Sequence, residues 1–317
     1  MVLSILYIKT KNTKNYIGEN MKISVIIPCY NEELTIKQVI EDIKKYYSEC
    51  EIYVFDNNST DNSYNMAKEA GAIVKKVMYQ GKGEVVRQAF SIVESDIYIL
   101  IDGDNECDAS AIPRLVNYLV DNDLDMVTVV RKAGKYRKGH SFGNKMLTGF
   151  AKFLFGNNVN DILSGYRVFS RKFVKTFPCA SRGFEIEAEL TIFAMQMRMQ
   201  IGEMEAEYKS RPEGSFSKLN TFRDGFRILG LMIYLLMTEK PIIFWWIISL
   251  FFALFGFYYG VPIILSFIRE GFVPVATSVL ATGFILLSGI CVITGLIMNA
   301  IGRAISENRR FKYNSIK

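Results

Sequence analysis

Histidine is nearly missing from this chain: His140 is the single one among 317 residues. The five cysteines (Cys29, Cys50, Cys107, Cys179, Cys291) form no CxxC pair. A zinc site and a disulfide scaffold are therefore excluded as organising features, and reduced thiols facing a cytoplasm are the simplest reading. A histidine-based triad is excluded on the same ground, since His140 sits in a basic, glycine-containing loop. The charge balance is mild, with 38 Lys+Arg against 32 Asp+Glu and a formal charge of +6. That argues against nucleic acid as a partner, while suiting an anionic membrane face or a phosphate-bearing substrate. With 50% hydrophobic and 22% charged residues, the chain is not disordered. Gly81-Lys82-Gly83 precedes a helical pattern, but Val86 stands where a dinucleotide fingerprint needs a third glycine, and no Walker pattern occurs.

Charge is also missing from two long stretches. Pro241 to Ile268 contains no Asp, Glu, Lys or Arg, and neither does Gly271 to Gly302. Each exceeds the roughly 20 apolar residues that cross a bilayer core. Trp245, Trp246, Tyr258 and Tyr259 suit interfacial depths. Lys240 before the pair and Arg303, Arg309, Arg310 and Lys312 after it put both flanks on the cytoplasmic side by the positive-inside rule. The expectation is an integral membrane protein with two spans and cytoplasmic termini. Small residues in the second span (Gly283, Ser288, Gly289, Gly295) permit close helix packing, including that of a homo-oligomer. Residues 1–20 read as a poorly ordered extension or a mis-assigned start. The expected divisions are then 21–221 for a catalytic domain, 222–240 for an interfacial amphipathic helix, 241–302 for the spans and 303–317 for a basic tail.

The remainder alternates. Ile23–Pro28, Glu51–Phe55, Ala72–Val77, Asp96–Ile101 and Asp125–Val130 read as strands. Helical spacing runs through Ile36–Tyr47, Ser63–Ala70, Gly81–Phe90 and Pro113–Val120. This predicts an α/β domain with a mostly parallel sheet and helices on both faces, with ligands at the carboxyl ends of the strands. Asp56, Asp102 and the turn after Pro28 fall at such ends. Asp102-Gly103-Asp104 can share a hard divalent cation that bridges to substrate phosphates; a polar turn is the plain alternative. An EF-hand is excluded, because Cys107 and Pro113 occupy its obligatory Gly and Glu positions. Asp56–Asp61 can accept from a base or ribose hydroxyl, or merely feed a helix cap. The acid-free stretch Arg131–Lys145 suits an anionic head group, or is a solvated loop. Arg211–Lys218 suits phosphate capture.

Together these segments resemble glycosyltransferase family 2 with its GT-A nucleotide-sugar fold. The resemblance rests on SVIIPCYNEE (Ser24–Glu33), VFDNNSTD (Val54–Asp61), Gly81–Gly83 and the DGD of Asp102–Asp104. DILSGYRVFSR (Asp161–Arg171), GFEIEAEL (Gly183–Leu190) and RPEGSFSKL (Arg211–Leu219) are similar to its polyisoprenyl-phosphate branch. The resemblance implies transfer of a sugar from a nucleotide-diphosphate sugar to a polyprenyl phosphate beside a lipid bilayer, with Mg²⁺ or Mn²⁺. It implies that Pro28, Tyr30, Asn31, Glu32, Asp56, Asn58, Lys82, Asp102 and Gly103 meet the donor. Asp102 and Asp104 would hold the metal. Arg131, Lys145, Arg211, Ser217 and Lys218 would hold the lipid phosphate. Arg167 would line the cleft, and Glu185 and Glu187 stand where inverting relatives place an acidic base. A processive polysaccharide synthase is the runner-up, although its QxxRW signature is missing and both tryptophans lie in the first span. A non-catalytic membrane scaffold is the third reading.

Overall fold

The computed structural model describes residues 21–131, 148–150, 152–153, 161–209, 230, 233–234 and 236–316. The chain divides into two compact units. One runs to Arg227 and takes in Arg310–Lys317, and the other is Ile228–Arg309.

The first unit is built on a seven-stranded sheet of order β3-β2-β1-β4-β6-β5-β7. Its strands are β1 (Ile23–Cys29), β2 (Glu51–Asp56), β3 (Ile73–Lys76), β4 (Ile97–Leu100), β5 (Met126–Arg131), β6 (Arg167–Ser170) and β7 (Ile201–Ala206). The central strands read as unbroken apolar runs because both of their faces are covered. Val25, Ile27, Val54, Ile99 and Val127 point into one core layer. Ile26, Phe55, Tyr98, Leu100 and Met126, one residue out of phase, point into the other. The first layer is closed by α1 (Ile36–Tyr46) and α4 (Ile112–Asp121). Each sends an i, i+3, i+4, i+7 stripe inward, namely Ile36, Val39, Ile40 and Ile43 in α1, and Ile112, Leu115, Val116 and Leu119 in α4. Helix α2 (Ser63–Glu69) lies between β2 and β3 in the chain. The second layer is closed by α3 (Lys82–Ile92), α5 (Arg171–Thr176) and α6 (Ile186–Met197). Its centre is a run of rings, with Phe90–Phe169 at 5.7 Å, Phe173–Phe193 at 5.6 Å and Phe177–Phe193 at 5.3 Å.

One strand breaks the parallel rule. β6 runs antiparallel to both neighbours and lies between β4 and β5. Its first residue, Arg167, pairs with Leu100 near the end of β4. The chain entering β6 therefore passes the carboxyl end of β4, where Asp102 lies.

In the second unit, α7 (Pro241–Glu270) ends at Gly271, whose left-handed φ of 69° turns the chain. Helix α8 (Val275–Ser315) follows and continues past Gly302 through the basic tail. Both helices are long and apolar enough to cross a membrane. Within this hairpin Ser249 and Ser288 share a hydrogen bond of 2.9 Å, and Gly295 packs on Trp245. Gly283 and Gly289 have nothing described within 4 Å of an added Cβ. Of residues 222–240, positions 230, 233–234 and 236–239 are described as helical.

The tail returns to the sheet unit. Tyr313 donates from its hydroxyl to the Asp125 carboxylate at 2.9 Å, and Lys172 lies 5.9 Å from its ring centre. Asp125 is buried at the amino end of β5 and also accepts from Ser170 Oγ at 3.1 Å. Replacing Tyr313 by Phe should remove one charge-assisted bond, about 1–2 kcal/mol. The expected readout is faster amide exchange in β5 and α5 of the full chain in detergent. Unchanged exchange would show that the contact carries no stability.

Candidate active site

The carboxyl ends of β1, β2 and β4 form one edge. Cys29 pairs with Asp56 in register, and Ile26 pairs with Leu100. Pro28, which has no N–H to give, lies beyond the last β1–β4 pairing, so the ladder loses nothing there. The loops after β1 and β2 are braced against each other. Asn31 takes a left-handed φ of 52°, its N–H donates to Ser59 Oγ at 3.0 Å, and its side-chain oxygen accepts from Thr60 N–H at 2.8 Å. Glu32 N–H donates to Ser63 Oγ at 2.7 Å. Tyr30 and Glu32 are thus held in a turn at the rim.

Asp56 is 2% exposed. Its Oδ2 accepts from Ser59 N–H at 3.4 Å, whereas Oδ1 is buried with no partner among the described residues. A carboxylate oxygen in that state calls for an N–H or O–H donor from a ligand. Asn58 is exposed in a left-handed turn with φ 64°. Its neighbour Asn57, which sequence reasoning missed, fastens the next loop. Asn57 Nδ2 donates to Tyr79 O at 2.7 Å, and Gly81 N–H donates to Asn57 Oδ1 at 2.7 Å.

The acid pair follows β4. Gly103 O accepts from Thr35 Oγ1 at 2.7 Å, and Asp104 Oδ1 accepts from Glu106 N–H at 3.1 Å. Asp104 is 7% exposed. Lys82, the first residue of α3, is also buried, and its Nζ lies 2.6 Å from Asp102 Oδ1 and 2.7 Å from Glu187 Oε1. A cation at a helix N-terminus is unfavourable by itself, and here two carboxylates offset it. Burial pushes the ammonium pKa down, but Asp102 and Glu187 outweigh that and hold it above the ordinary lysine value. Burial pushes the Glu187 carboxyl up; Lys82 opposes the rise and Asp102 adds to it. Arg87 is taken up by Glu84. Gly81 and Gly83 have a reason that the sequence did not reveal. A Cβ at either would run into the backbone of Ser181 and Arg182, which crosses over them. That crossing brings Glu187 to Lys82.

Glu185 points back to its own turn, accepting from Gly183 N–H at 3.1 Å. Arg167 corrects an expectation. It is fully buried behind the site and does not line the cleft. Its Nε donates to Ser164 O at 2.7 Å, its Nη atoms to Thr191 Oγ1 and Ile162 O at 2.7 Å, and to Glu187 O at 2.9 Å. Met126 Sδ lies at 3.4 Å. Burial pulls this guanidinium down to about 10, still cationic at neutral pH. Arg167 thus ties the Asp161–Ser164 turn to the start of α6. Arg131 ends β5 opposite Ala206 of β7. Lys145, Arg211, Ser217 and Lys218 lie outside the described residues. Lys209, just before that last motif, has its N–H on Glu106 O at 2.7 Å, two residues beyond Asp104.

A family model, Glycosyl transferase family 2, matches residues 24–177. The protein RfbJ of Shigella flexneri is 50% identical over 125 residues, which are 38% of this chain and 97% of that protein. The chain belongs to glycosyl transferase family 2. It is a glycosyltransferase. The undecaprenyl-phosphate 4-deoxy-4-formamido-L-arabinose transferase of Proteus mirabilis is 26% identical over 307 residues, spanning 91% of this chain and 90% of that one. Glucosyl-3-phosphoglycerate synthase from Mycobacterium tuberculosis, solved with Mn²⁺, UDP-glucose and phosphoglyceric acid, has a TM-score of 0.52 at 25% identity. That match covers 61% of this chain and 73% of that one.

In this family 2 transferase Gly165 leaves no room for a side chain beside the acid pair. A Cβ there would lie 2.8 Å from Lys82 Nζ and closer still to Asp102 Oδ2. Gly165→Ala should cut transfer at least about a hundredfold, since it displaces both charged groups. Far-UV circular dichroism should stay unchanged. Wild-type activity in this variant would mean that the acid pair tolerates displacement.

Proposed function

We propose that the chain moves one sugar from a nucleotide-diphosphate sugar to a polyprenyl phosphate at the cytoplasmic face of a membrane, inverting the anomeric carbon. The observation that carries the reading is the gathering of Asp56, Asp102 and Asp104 on one sheet edge, with Asp56 Oδ1 buried and unpartnered among the described residues. Asp56 would accept from the base or ribose, with Tyr30 and Asn31 at the rim. UDP-glucose, UDP-GlcNAc and GDP-mannose are the candidate donors. The two long apolar helices and the nearly full-length likeness to an undecaprenyl-phosphate transferase support the lipid acceptor and the membrane location.

The residues present fit a divalent cation. Asp102 and Asp104 offer hard carboxylate oxygens on either side of Gly103, the chemistry that Mg²⁺ or Mn²⁺ takes. Among the described residues no third acid, thiol or imidazole joins them, so donor phosphates and water would complete the coordination. When bound, such an ion offsets negative charge on a leaving diphosphate. The acceptor is a phosphate monoester with a second pKa near 6, by analogy with phosphorylated side chains, and is mostly dianionic at pH 7. It needs no strong base. Glu187, already paired with Lys82, serves better as that lysine's partner than as a proton acceptor. Glu185 would orient the turn that it hydrogen-bonds. Arg131, Arg211, Ser217 and Lys218, with Lys145, would hold the acceptor phosphate without quenching its attacking oxygen. Arg167 contributes indirectly, by positioning Glu187.

A membrane assay with those three radiolabelled donors and polyprenyl phosphate tests the reading. A single lipid-linked sugar is expected. Long polymer would point to a processive synthase, and failure to bind UDP or GDP to a scaffold. In the same assay Asp104→Ala should abolish transfer, while Glu187→Gln retains measurable activity. Equal and complete loss in both would make Glu187 a true base. Asp56→Asn should raise the donor KM about tenfold with little change in kcat, the effect of one lost charge-assisted hydrogen bond.

A further inference from the structure

The acids at the end of β4 share their pocket with a cation belonging to the protein. Lys82 Nζ lies 2.6 Å from Asp102 Oδ1 and 2.7 Å from Glu187 Oε1, and the residue is 8% exposed. Gly165 leaves the space that these groups fill, for a Cβ there would lie 2.8 Å from Nζ and closer still to the other Asp102 oxygen. The Phe184 ring, 6.0 Å away, borders it further. A divalent ion approaching Asp102 therefore meets a fixed positive charge on the same carboxylate. The protein contributes too few ligands by itself, for no three metal-ligating side chains gather among the described residues. A hard divalent cation takes about six oxygens. Both deficits, in negative charge and in oxygen ligands, are ones that a nucleoside diphosphate makes good.

We propose that Lys82 makes divalent-cation binding conditional on the nucleoside diphosphate. By occupying Asp102 and Glu187 the ammonium keeps the acid cluster from holding a cation alone; the arriving diphosphate reverses the balance. The ion then enters with the donor and loses its hold when the product diphosphate departs. Lys82 is in this respect a positioning residue, acting through Asp102 and Glu187. The inference rests on the reading of Asp102 and Asp104 as cation ligands.

The test is direct Mn²⁺ binding to the full chain in detergent, followed by electron paramagnetic resonance of free Mn²⁺ without nucleotide, with UDP and with GDP. Wild type should take up Mn²⁺ only when UDP or GDP is present. Lys82→Met should raise the nucleotide-free affinity on the order of tenfold or more, because a like charge beside the ion is gone. Lys82→Arg, which keeps the charge, should keep the nucleotide dependence. The double variant Lys82→Met/Glu187→Gln restores the pocket's net charge. It provides the test if the single variant does not fold, and should show a smaller gain of the same sign. Equal Mn²⁺ uptake by wild type with and without nucleotide overturns the inference while leaving the cation reading intact. So does an unchanged nucleotide dependence in Lys82→Met, or no gain in the double variant. Absence of uptake by wild type under every condition overturns both.

Discussion

A buried ammonium is tolerable only beside negative charge, and that requirement organises the catalytic unit. Lys82 starts a helix, Asp102 follows a strand, and Glu187 lies in the first turn of a helix more than eighty residues further on. Leaving Lys82 or Glu187 without its partners would strand a charge away from water, at a cost of several kcal/mol. The surrounding architecture meets that demand. Gly165 gives up its side chain, and Gly81 and Gly83 let another backbone cross above them. Arg167 fixes the start of α6 through the Glu187 carbonyl.

The reversed strand is the topological means to this end. A purely parallel sheet would leave the end of β4 open on that side. Because β6 enters from the carboxyl edge, the Ser164–Tyr166 approach becomes a wall of the site. Asp56 shows the opposite economy. One of its buried oxygens has no partner among the described residues, an arrangement that costs stability in the free protein. The loops around it are braced by Asn31, Ser59, Ser63 and Asn57.

Legibility followed the range of the interactions. Strands with both faces buried announced themselves as unbroken apolar runs, and α1 and α4 by their inward stripes. The DGD pair and Asp56 were visible because a polar turn after a buried strand is a local pattern. The segment from Asp161 to Ala206 was readable as motifs but not as β6, α5, α6 and β7, since short elements and a reversal of direction carry no periodic signature. Arg167 was expected to line the cleft only because the family resemblance implies it. Its burial depends on carbonyls from Ile162, Ser164 and Glu187, whose approach no local pattern encodes. Asn57 was overlooked among the five other polar residues of the Asp56–Asp61 run.

The amino-acid order by itself determined the α/β class, the two long apolar helices, the family and the acids available for chemistry, because these follow from composition and short-range spacing. Only the tertiary structure decided which of those groups meet. It set Lys82 between Asp102 and Glu187, buried Arg167 and left one Asp56 oxygen without a partner among the described residues. Contacts between residues tens of positions apart depend on how the sheet is ordered, and sheet order is a property of the whole packed domain.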